Sequence, residues 1–194
     1  MKIISVRDLT KKYKVIKKQN GIIGYVKNLF KPRYTNFSAV KQINFDIYQG
    51  ELVGYIGENG AGKSTTIKML TGLLTPTSGK VIVNGIVPSE NRIQNNKNIG
   101  AVFGQKTQLW WDLPVIESFD LIKKMYKIPE KEYKENLERF TKILNLDNLL
   151  DKQVKNLSLG QKMRCEIAAT FLHNPKIVYL DEPTIGLDVL VKEN

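Results

Sequence analysis

The segment GENGAGKS at residues 57–64 is the most informative part of this sequence. It matches the pattern G-x-x-x-x-G-K-[ST] in full. It follows an apolar run that predicts a buried strand at 51–57, and it precedes a helical pattern that starts at Gly62. Its three glycines allow the backbone to turn successive N–H groups inward, and the helix N-terminus adds a positive dipole. The segment therefore predicts a loop that binds phosphate.

The occupant expected in this loop is ATP with Mg²⁺. Lys63 would contact the β- and γ-phosphates, Ser64 would bind the metal ion, and Thr65 would hold the α-phosphate. A glycine-rich turn that serves packing alone is the alternative, and the complete pattern in its correct context argues against it. The predicted ATP-binding residues of the loop are Gly57, Asn59, Gly60, Ala61, Gly62, Lys63, Ser64 and Thr65.

Two carboxylates follow the apolar run at residues 176–180. Asp181 is predicted to act on Mg²⁺ through its water shell, and Glu182 is predicted to polarise the attacking water as the general base. Asp-Glu-Pro also ends strands by turn preference alone. The phosphate-binding pattern upstream favours the catalytic interpretation.

Apolar runs alternate with helical patterns, which indicates a parallel sheet covered on both faces. The predicted fold class is α/β with a mostly parallel sheet, an N-terminal antiparallel β subdomain and an inserted helical subdomain at about 105–157. No repeat or linker divides residues 1–194, so one domain is expected. The predicted strands are 3–6, 40–48, 51–57, 79–85, 98–105 and 176–183, and the predicted helices are 62–74, 115–126, 131–146 and 158–173.

The net charge of +11 is concentrated in one part of the chain. From Leu9 to Phe45 there are nine lysines and arginines and no acidic residue, so the remainder carries only +2. This argues against nucleic acid as a general partner. Within this region, a basic insertion at about 14–39 contains an amphipathic segment, 21–31. It would contact either an anionic membrane surface or a membrane subunit, or it would pack on its own domain.

No stretch is long and apolar enough to predict a membrane span, and no secretory leader is recognisable, so a cytoplasmic location is expected. The single cysteine, Cys165, is predicted to be a buried thiol rather than part of a disulfide or a metal site.

Three further elements make the chain resemble the ATP-binding cassette (ABC) family of P-loop NTPases. LSLGQ at 157–161 resembles the family signature, Gln105 its Q-loop, and GLD at 186–188 its D-loop. A plain capping box at the start of a helix also explains LSLGQ, and both interpretations can hold together. Leu159 departs from the glycine that is usual in the signature.

The resemblance implies a dimer of ATPase subunits, either homodimer or heterodimer, in which each signature contacts the ATP held by the partner's loop. It assigns this contact to Ser158, Gly160 and Gln161. It also implies Mg²⁺ binding by Gln105, a D-loop role for Asp188 and adenine stacking by Tyr13. These assignments follow from the family and not from spacing alone.

Residues 103–114 and the basic insertion resemble the ATPase subunits of bacterial exporters of the ABC-2 type, which pair with separate integral membrane permease subunits. Trp110 and Trp111 would contact such a subunit or pack within the helical insertion. The family's switch histidine is not found before Asn194, so a C-terminally truncated chain is expected. His173 is interpreted as a helix-end residue favoured by the helix dipole.

The expected function is therefore ATP binding and hydrolysis that power export through membrane subunits. Two alternatives stay open at this stage. One is an ABC ATPase of translation or repair, and the other is a chain that binds nucleotide with little hydrolysis.

Overall fold

The computed structural model describes residues 1–16, 34–103 and 106–181. The chain divides into two compact units, Met1–Asn95 and Asn96–Asn194.

The first unit is built on a three-stranded antiparallel sheet in the order β2-β1-β3. Its strands are β1 (Lys2–Ile16), β2 (Tyr34–Tyr48) and β3 (Ser78–Val83). The N-terminal antiparallel sheet predicted from the sequence is therefore present, and its central strand is β1.

A bulge in β1 keeps its apolar side chains directed into the core of this unit. Ile4 and Val6 alternate inward as the two-residue period of a strand requires, and Leu9, three residues further on, is also fully buried. The pairing register shifts between Val6 and Leu9, and Asp8 adopts a φ of 48° there. The extra residue returns Leu9 to the buried face, so β1 supplies apolar side chains to the core along more of its length.

The first two strands continue well beyond the third. β1 pairs with β3 as far as Thr10, opposite Ser78, whereas it pairs with β2 as far as Ile16. The basic insertion predicted at about 14–39 therefore begins and ends within strands. Its predicted amphipathic segment, 21–31, lies outside the described residues.

The segment that leads into the glycine-rich loop differs from the prediction. Residues 51–57 were expected to form a buried strand, and in the structure they form no strand. Leu52 is fully exposed and Ile56 is 94% exposed. A strand exists only when a neighbour satisfies its backbone N–H and C=O groups, and no strand among the described residues pairs with this segment. The prediction of a buried strand is wrong here for that reason.

Helix α1 (Lys63–Leu70) follows the loop, and α2 (Arg92–Asn96) is a short helix later in the chain. The predicted continuation of α1 to residue 74 is not present. The chain instead turns at Thr71, and Gly72 adopts a φ of 74° close against the Pro88 carbonyl. A side chain at Gly72 would collide with that carbonyl, so this tight turn requires glycine.

The second unit contains two parallel strands, β4 (Ile99–Phe103) and β5 (Ile177–Asp181). Their register aligns Phe103 with Asp181, so both strands end at the same edge. This parallel pair is the part of the predicted parallel sheet seen in the described residues. Gly100 on β4 lies where an added Cβ would come 2.6 Å from the Thr170 methyl group, which shows how closely strand and helix pack.

Three helices accompany this pair: α3 (Val115–Tyr126), α4 (Glu130–Leu144) and α5 (Leu159–Phe171), with a 3₁₀ turn at Val154–Asn156. They surround a contiguous apolar core. Its fully buried members are Val115, Phe119, Leu146, Val154, Cys165, Ala168 and Leu172.

Cys165 is buried as predicted, and burial raises the pKa of its thiol to about 12. Within the described ranges, no helix is both long and apolar enough to cross a bilayer.

Candidate nucleotide-binding site

The glycine-rich loop has the backbone shape that its sequence predicts. Gly60 and Gly62 adopt φ angles of 85° and 91°, a region that side chains disfavour. The N–H of Ala61 donates to the Glu58 carbonyl across 3.1 Å, which closes a tight turn. The loop therefore curls directly into the N-terminus of α1, where backbone N–H groups lack helical partners and attract anions.

Gly62 is required for a second reason. A Cβ at this position would overlap the carbonyl oxygen of Ala39 on β2 and lie 3.0 Å from a methyl group of Val40. The loop is thus pressed against the sheet of the first unit. A side chain here would displace the loop from β2.

Lys63 folds its ammonium group back over the loop. Its Nζ donates to the carbonyl oxygens of Gly57, at 2.6 Å, and Glu58, at 2.9 Å. These bonds place the positively charged ammonium on the concave side of the turn, where oxygen atoms accept its hydrogen bonds. Phosphate oxygens are stronger acceptors for an ammonium than neutral carbonyls, so this position suits a polyphosphate.

Thr66 fastens the start of α1 and was not singled out from the sequence. It is almost completely buried, its hydroxyl donates to the Gly62 carbonyl at 3.0 Å, and its N–H donates to the same oxygen at 2.8 Å. The Tyr55 hydroxyl lies 3.4 Å from the Thr66 hydroxyl. A threonine in the first helical turn, four residues after a loop carbonyl, is a signal that could have predicted this anchor.

In the second unit, Asp181 is the last residue of β5 and is partly buried. It stands opposite Phe103, the last residue of β4. Polar residues that follow the carboxyl ends of neighbouring parallel strands emerge at one edge, where α/β proteins bind ligands. Of the residues predicted near this edge, Gln105 and Glu182 lie outside the described residues, as does Asp188 of the D-loop. Their roles remain predictions.

The signature segment forms the capping box predicted from the sequence. The Ser158 hydroxyl accepts from the Gln161 N–H at 3.2 Å, and the Gln161 side chain accepts from the Ser158 N–H at 2.9 Å. Leu159, which replaces the usual glycine, is 51% exposed and points its side chain away from the core. The N-terminus of α5 is therefore ordered by its own residues and exposed to solvent, as the partner-contact prediction for Ser158 and Gly160 requires.

Tyr13 lies on β1 opposite Phe37, and both rings are partly exposed. The Lys11 ammonium is 5.3 Å from the centre of the Tyr13 ring. The exposed ring is compatible with stacking on a flat base, and adenine stacking stays a prediction.

The tryptophan pair lies at the surface of the second unit. Trp110 is 38% exposed and Trp111 is 53% exposed, so neither is a core residue. The Lys162 ammonium of α5 lies 4.1 Å from the centre of the Trp111 ring. The pair therefore occupies a surface beside the signature helix.

The candidate metal ligands have suitable chemistry. The hydroxyl of Ser64 and the carboxylate of Asp181 are hard oxygen donors of the kind Mg²⁺ prefers. Among the described residues, no cluster of three or more histidine, cysteine or acidic side chains forms a separate metal site. Each of these two oxygen donors therefore suits Mg²⁺ carried in with a nucleotide.

His173 lies two residues beyond the end of α5, near the helix end as predicted. Its Nε2 is 3.0 Å from the Ile99 carbonyl, and its ring stacks on Tyr126 with centroids 4.0 Å apart. Burial lowers the pKa of His173, which disfavours the charged form that a dipole would attract. The lowered pKa argues against the dipole interpretation, and the contacts with Ile99 and Tyr126 favour a packing role for His173.

A family model described as ABC transporter matches residues 40–185. The chain therefore belongs to the ABC transporter family. It is 34% identical over 160 residues to the probable multidrug ABC transporter ATP-binding protein YbhF of Escherichia coli, covering 82% of this chain and 28% of YbhF. It is 32% identical over 151 residues to the ABC transporter ATP-binding protein NatA of Bacillus subtilis, covering 78% of this chain and 61% of NatA. The chain thus spans less than two thirds of either relative.

Solved structures share the fold over nearly the whole chain. An ATP-binding subunit of an ABC transporter superposes with a TM-score of 0.79 at 27% identity, covering 98% of this chain and 70% of that one. A dimeric post-hydrolysis state of the ATP-binding cassette MJ0796, bound to ADP and Pi, gives a TM-score of 0.77 at 26% identity, covering 98% and 78%. The predicted α/β fold with a P-loop NTPase core is thereby confirmed.

Proposed function

We propose that this chain is the ATP-binding and hydrolysing part of an ABC transporter. The observation that carries the proposal is the glycine-rich loop, which holds the Lys63 ammonium on its concave side at the N-terminus of α1. This arrangement combines backbone N–H groups, a helix dipole and a cation, which together bind a polyphosphate. The relatives named as ABC transporter ATP-binding proteins support it.

Each predicted residue has a distinct role in turnover. Lys63 neutralises charge on the β- and γ-phosphates, and the loop N–H groups hold the triphosphate at the N-terminus of α1. Glu182 accepts a proton from the attacking water, which raises the nucleophilicity of the water oxygen. Ser64, Gln105 and, through the water shell of the ion, Asp181 would hold Mg²⁺, which would supply charge stabilisation to the transferring phosphoryl group.

We further propose that two chains dimerise around ATP, with the signature of each chain contacting the nucleotide of the other. The solvent-exposed N-terminus of α5 supports this role because the capping box uses the N–H groups of Ser158 and Gln161 and leaves those of Leu159 and Gly160 to face an anion. The dimeric neighbour bound to ADP and Pi is in accord with it.

The proposed partners include integral membrane permease subunits, and the proposed location is the cytoplasmic face of a membrane. The hairpin of β1 and β2 supports a peripheral contact there. Beyond Thr10 it exposes Val15, Ile16, Tyr34 and Phe37 in a region of the chain that is rich in lysine and free of acidic residues. Exposed apolar side chains among lysines favour an anionic membrane surface. Export is proposed from the resemblance to exporter ATPases.

The deciding experiment compares ATP turnover and molecular mass, by light scattering, of the chain and of a Glu182→Gln variant. We expect the parent to hydrolyse ATP, and the variant to lose turnover but dimerise with MgATP. A Lys63→Ala variant is the control, since it should lose ATP binding as well. ATP binding without dimer or turnover in either protein would favour the binding-only alternative. Undiminished turnover in Glu182→Gln would contradict the assigned base.

Binding to vesicles tests the location separately. We expect cosedimentation with vesicles that contain anionic phospholipid and none with neutral vesicles, and salt should weaken it. Equal binding to both kinds of vesicle would remove the electrostatic argument.

A further inference from the structure

Glu166 lies in the middle of α5 and is 6% exposed. Among residues 1–16, 34–103 and 106–181, it is the only aspartate, glutamate, lysine or arginine that is buried. No lysine or arginine in those ranges forms a salt bridge with it. A buried carboxylate without a cation is unfavourable unless hydrogen bonds replace its water. The groups that donate to Glu166 therefore indicate what it does.

All of these donors come from one short segment, Lys106–Leu109. The Thr107 hydroxyl donates to Glu166 Oε1. The Gln108 N–H lies 3.0 Å from Oε1 and 3.3 Å from Oε2. Burial raises the pKa of Glu166, and the bonds from Thr107 and Gln108 lower it in part. The carboxylate is thus held by a loop and not by its own helix.

The loop also donates to the helix backbone and to a second side chain of the helix. The Gln108 side-chain amide donates to the Glu166 backbone carbonyl at 3.2 Å and to the Thr170 hydroxyl at 2.8 Å. The Thr107 hydroxyl accepts from the Leu109 N–H at 3.0 Å, and Leu109 is buried in the core. The segment Lys106–Leu109 is therefore clamped to α5 by several bonds, all of which the segment donates.

The two parts joined by this clamp are adjacent in sequence to a predicted Mg²⁺ ligand, Gln105, and to a predicted contact with the partner's ATP, Ser158. Lys106 directly follows Gln105, and its N–H donates to the Phe103 carbonyl at the end of β4. Ser158 caps the same helix that carries Glu166, eight residues earlier, or about 12 Å along the axis. A displacement of the loop relative to α5 would therefore alter the spacing between the end of β4 and the signature.

We propose that Glu166 is a positioning residue for ATP turnover, because it fixes the segment Lys106–Leu109 to the signature helix so that both move as one body. The proposal rests on the proposed ATPase function. An apolar side chain would fill the same space without binding the loop, which explains why a carboxylate occupies a buried position. Glu166 does not touch the nucleotide in this scheme and acts through the loop alone.

The first test is kinetic. Glu166→Ala is expected to lower kcat for ATP about tenfold or more, with the Kd for a fluorescent ATP analogue unchanged within about twofold. Glu166→Gln keeps the shape and an acceptor oxygen, so it should restore most of the rate. Thr107→Val should slow turnover, whereas Thr107→Ser, which keeps the hydroxyl, should not. In the Glu166→Ala background, Thr107→Val should cause little further loss of kcat, because both substitutions remove the same clamp. A parent-like kcat in Glu166→Ala, or a Kd that rises in step with the loss of kcat, would overturn the proposal.

The second test does not depend on turnover. Hydrogen exchange of the Gln108 amide should be about tenfold faster or more in Glu166→Ala than in the parent, with amides in the middle of α3 as the internal reference. Unchanged exchange at Gln108 would overturn the clamp. If the parent itself fails to hydrolyse ATP, the proposed function fails, and the exchange result still decides whether Glu166 holds the loop.

Discussion

Gly62 offers the sharpest test of the geometry of the nucleotide loop. Its φ of 91° disfavours any side chain, which costs about 1–2 kcal/mol on substitution by alanine. In addition, the new Cβ would overlap the Ala39 carbonyl oxygen and lie 3.3 Å from the carbonyl carbon of that residue, so β2 or the loop must shift. Overpacking of this kind costs typically about 1–3 kcal/mol more. The total expected for Gly62→Ala is therefore about 3 kcal/mol, or roughly 6–12 °C in Tm for a chain of this size.

Gly50 provides a matched control. Its φ of 86° is nearly the same, and an added Cβ would meet no atom within 4 Å. Gly50→Ala should therefore show the backbone cost alone, about 1–2 kcal/mol and roughly 2–8 °C. Thermal unfolding by circular dichroism measures both variants, and a fluorescent ATP analogue should bind Gly62→Ala more weakly than Gly50→Ala. Equal losses of Tm in the two variants would refute the argument from close packing on β2.

Three further predictions concern local contacts. Thr66→Val should lower the free energy of unfolding by about 1 kcal/mol because it removes the buried hydroxyl that donates to the Gly62 carbonyl. Thr66→Ser keeps a hydroxyl and should retain most of that free energy. Urea unfolding measures both variants, and identical unfolding curves would contradict the anchoring role of the Thr66 hydroxyl. Ser158→Ala should lower the free energy of unfolding by about 1 kcal/mol because it removes the helix cap. Ser158→Asp should lower it much less, since aspartate also caps helices. An equal loss of stability in both variants would contradict the capping role. For His173, burial lowers the pKa below its ordinary value, so below about pH 6.5 the unfolded chain binds a proton that the folded chain does not. The free energy of unfolding should therefore fall as the pH drops from 7.5 to 5.5, and His173→Phe should flatten this dependence; an unchanged slope in the variant would show that other groups cause it.

The sequence predicted best those elements whose signals are local. The bounds Val115–Tyr126 of α3 were predicted correctly, since the helix follows Pro114 and its apolar period is unbroken. The capping box at Ser158 was predicted from two residue types at a fixed spacing. The loop at 57–64 was predicted because glycine, lysine and serine are each needed there for a separate physical reason.

The features that were predicted wrongly or missed are those that depend on residues far away in the sequence. Apolar residues at 51–57 suggested a buried strand, but periodicity does not reveal whether a neighbouring strand is present to pair with. Glu166 was not singled out because an acidic residue within a helix usually faces solvent. Its donors, Thr107 and Gln108, are almost sixty residues away in sequence, and only the fold brings them together.

The long hairpin of β1 and β2 also bears on how such a chain can change over time. Its two strands are held together by their own ladder as far as Ile16 and Tyr34, beyond the point where β3 ends. Because the ends of the connection are already brought together by this ladder, doubling the length of residues 17–33 would add only about 0.6 kcal/mol of closure entropy. Lengthening this connection therefore costs little free energy, so it is a place where related proteins can diverge and where a tag or reporter domain can be grafted.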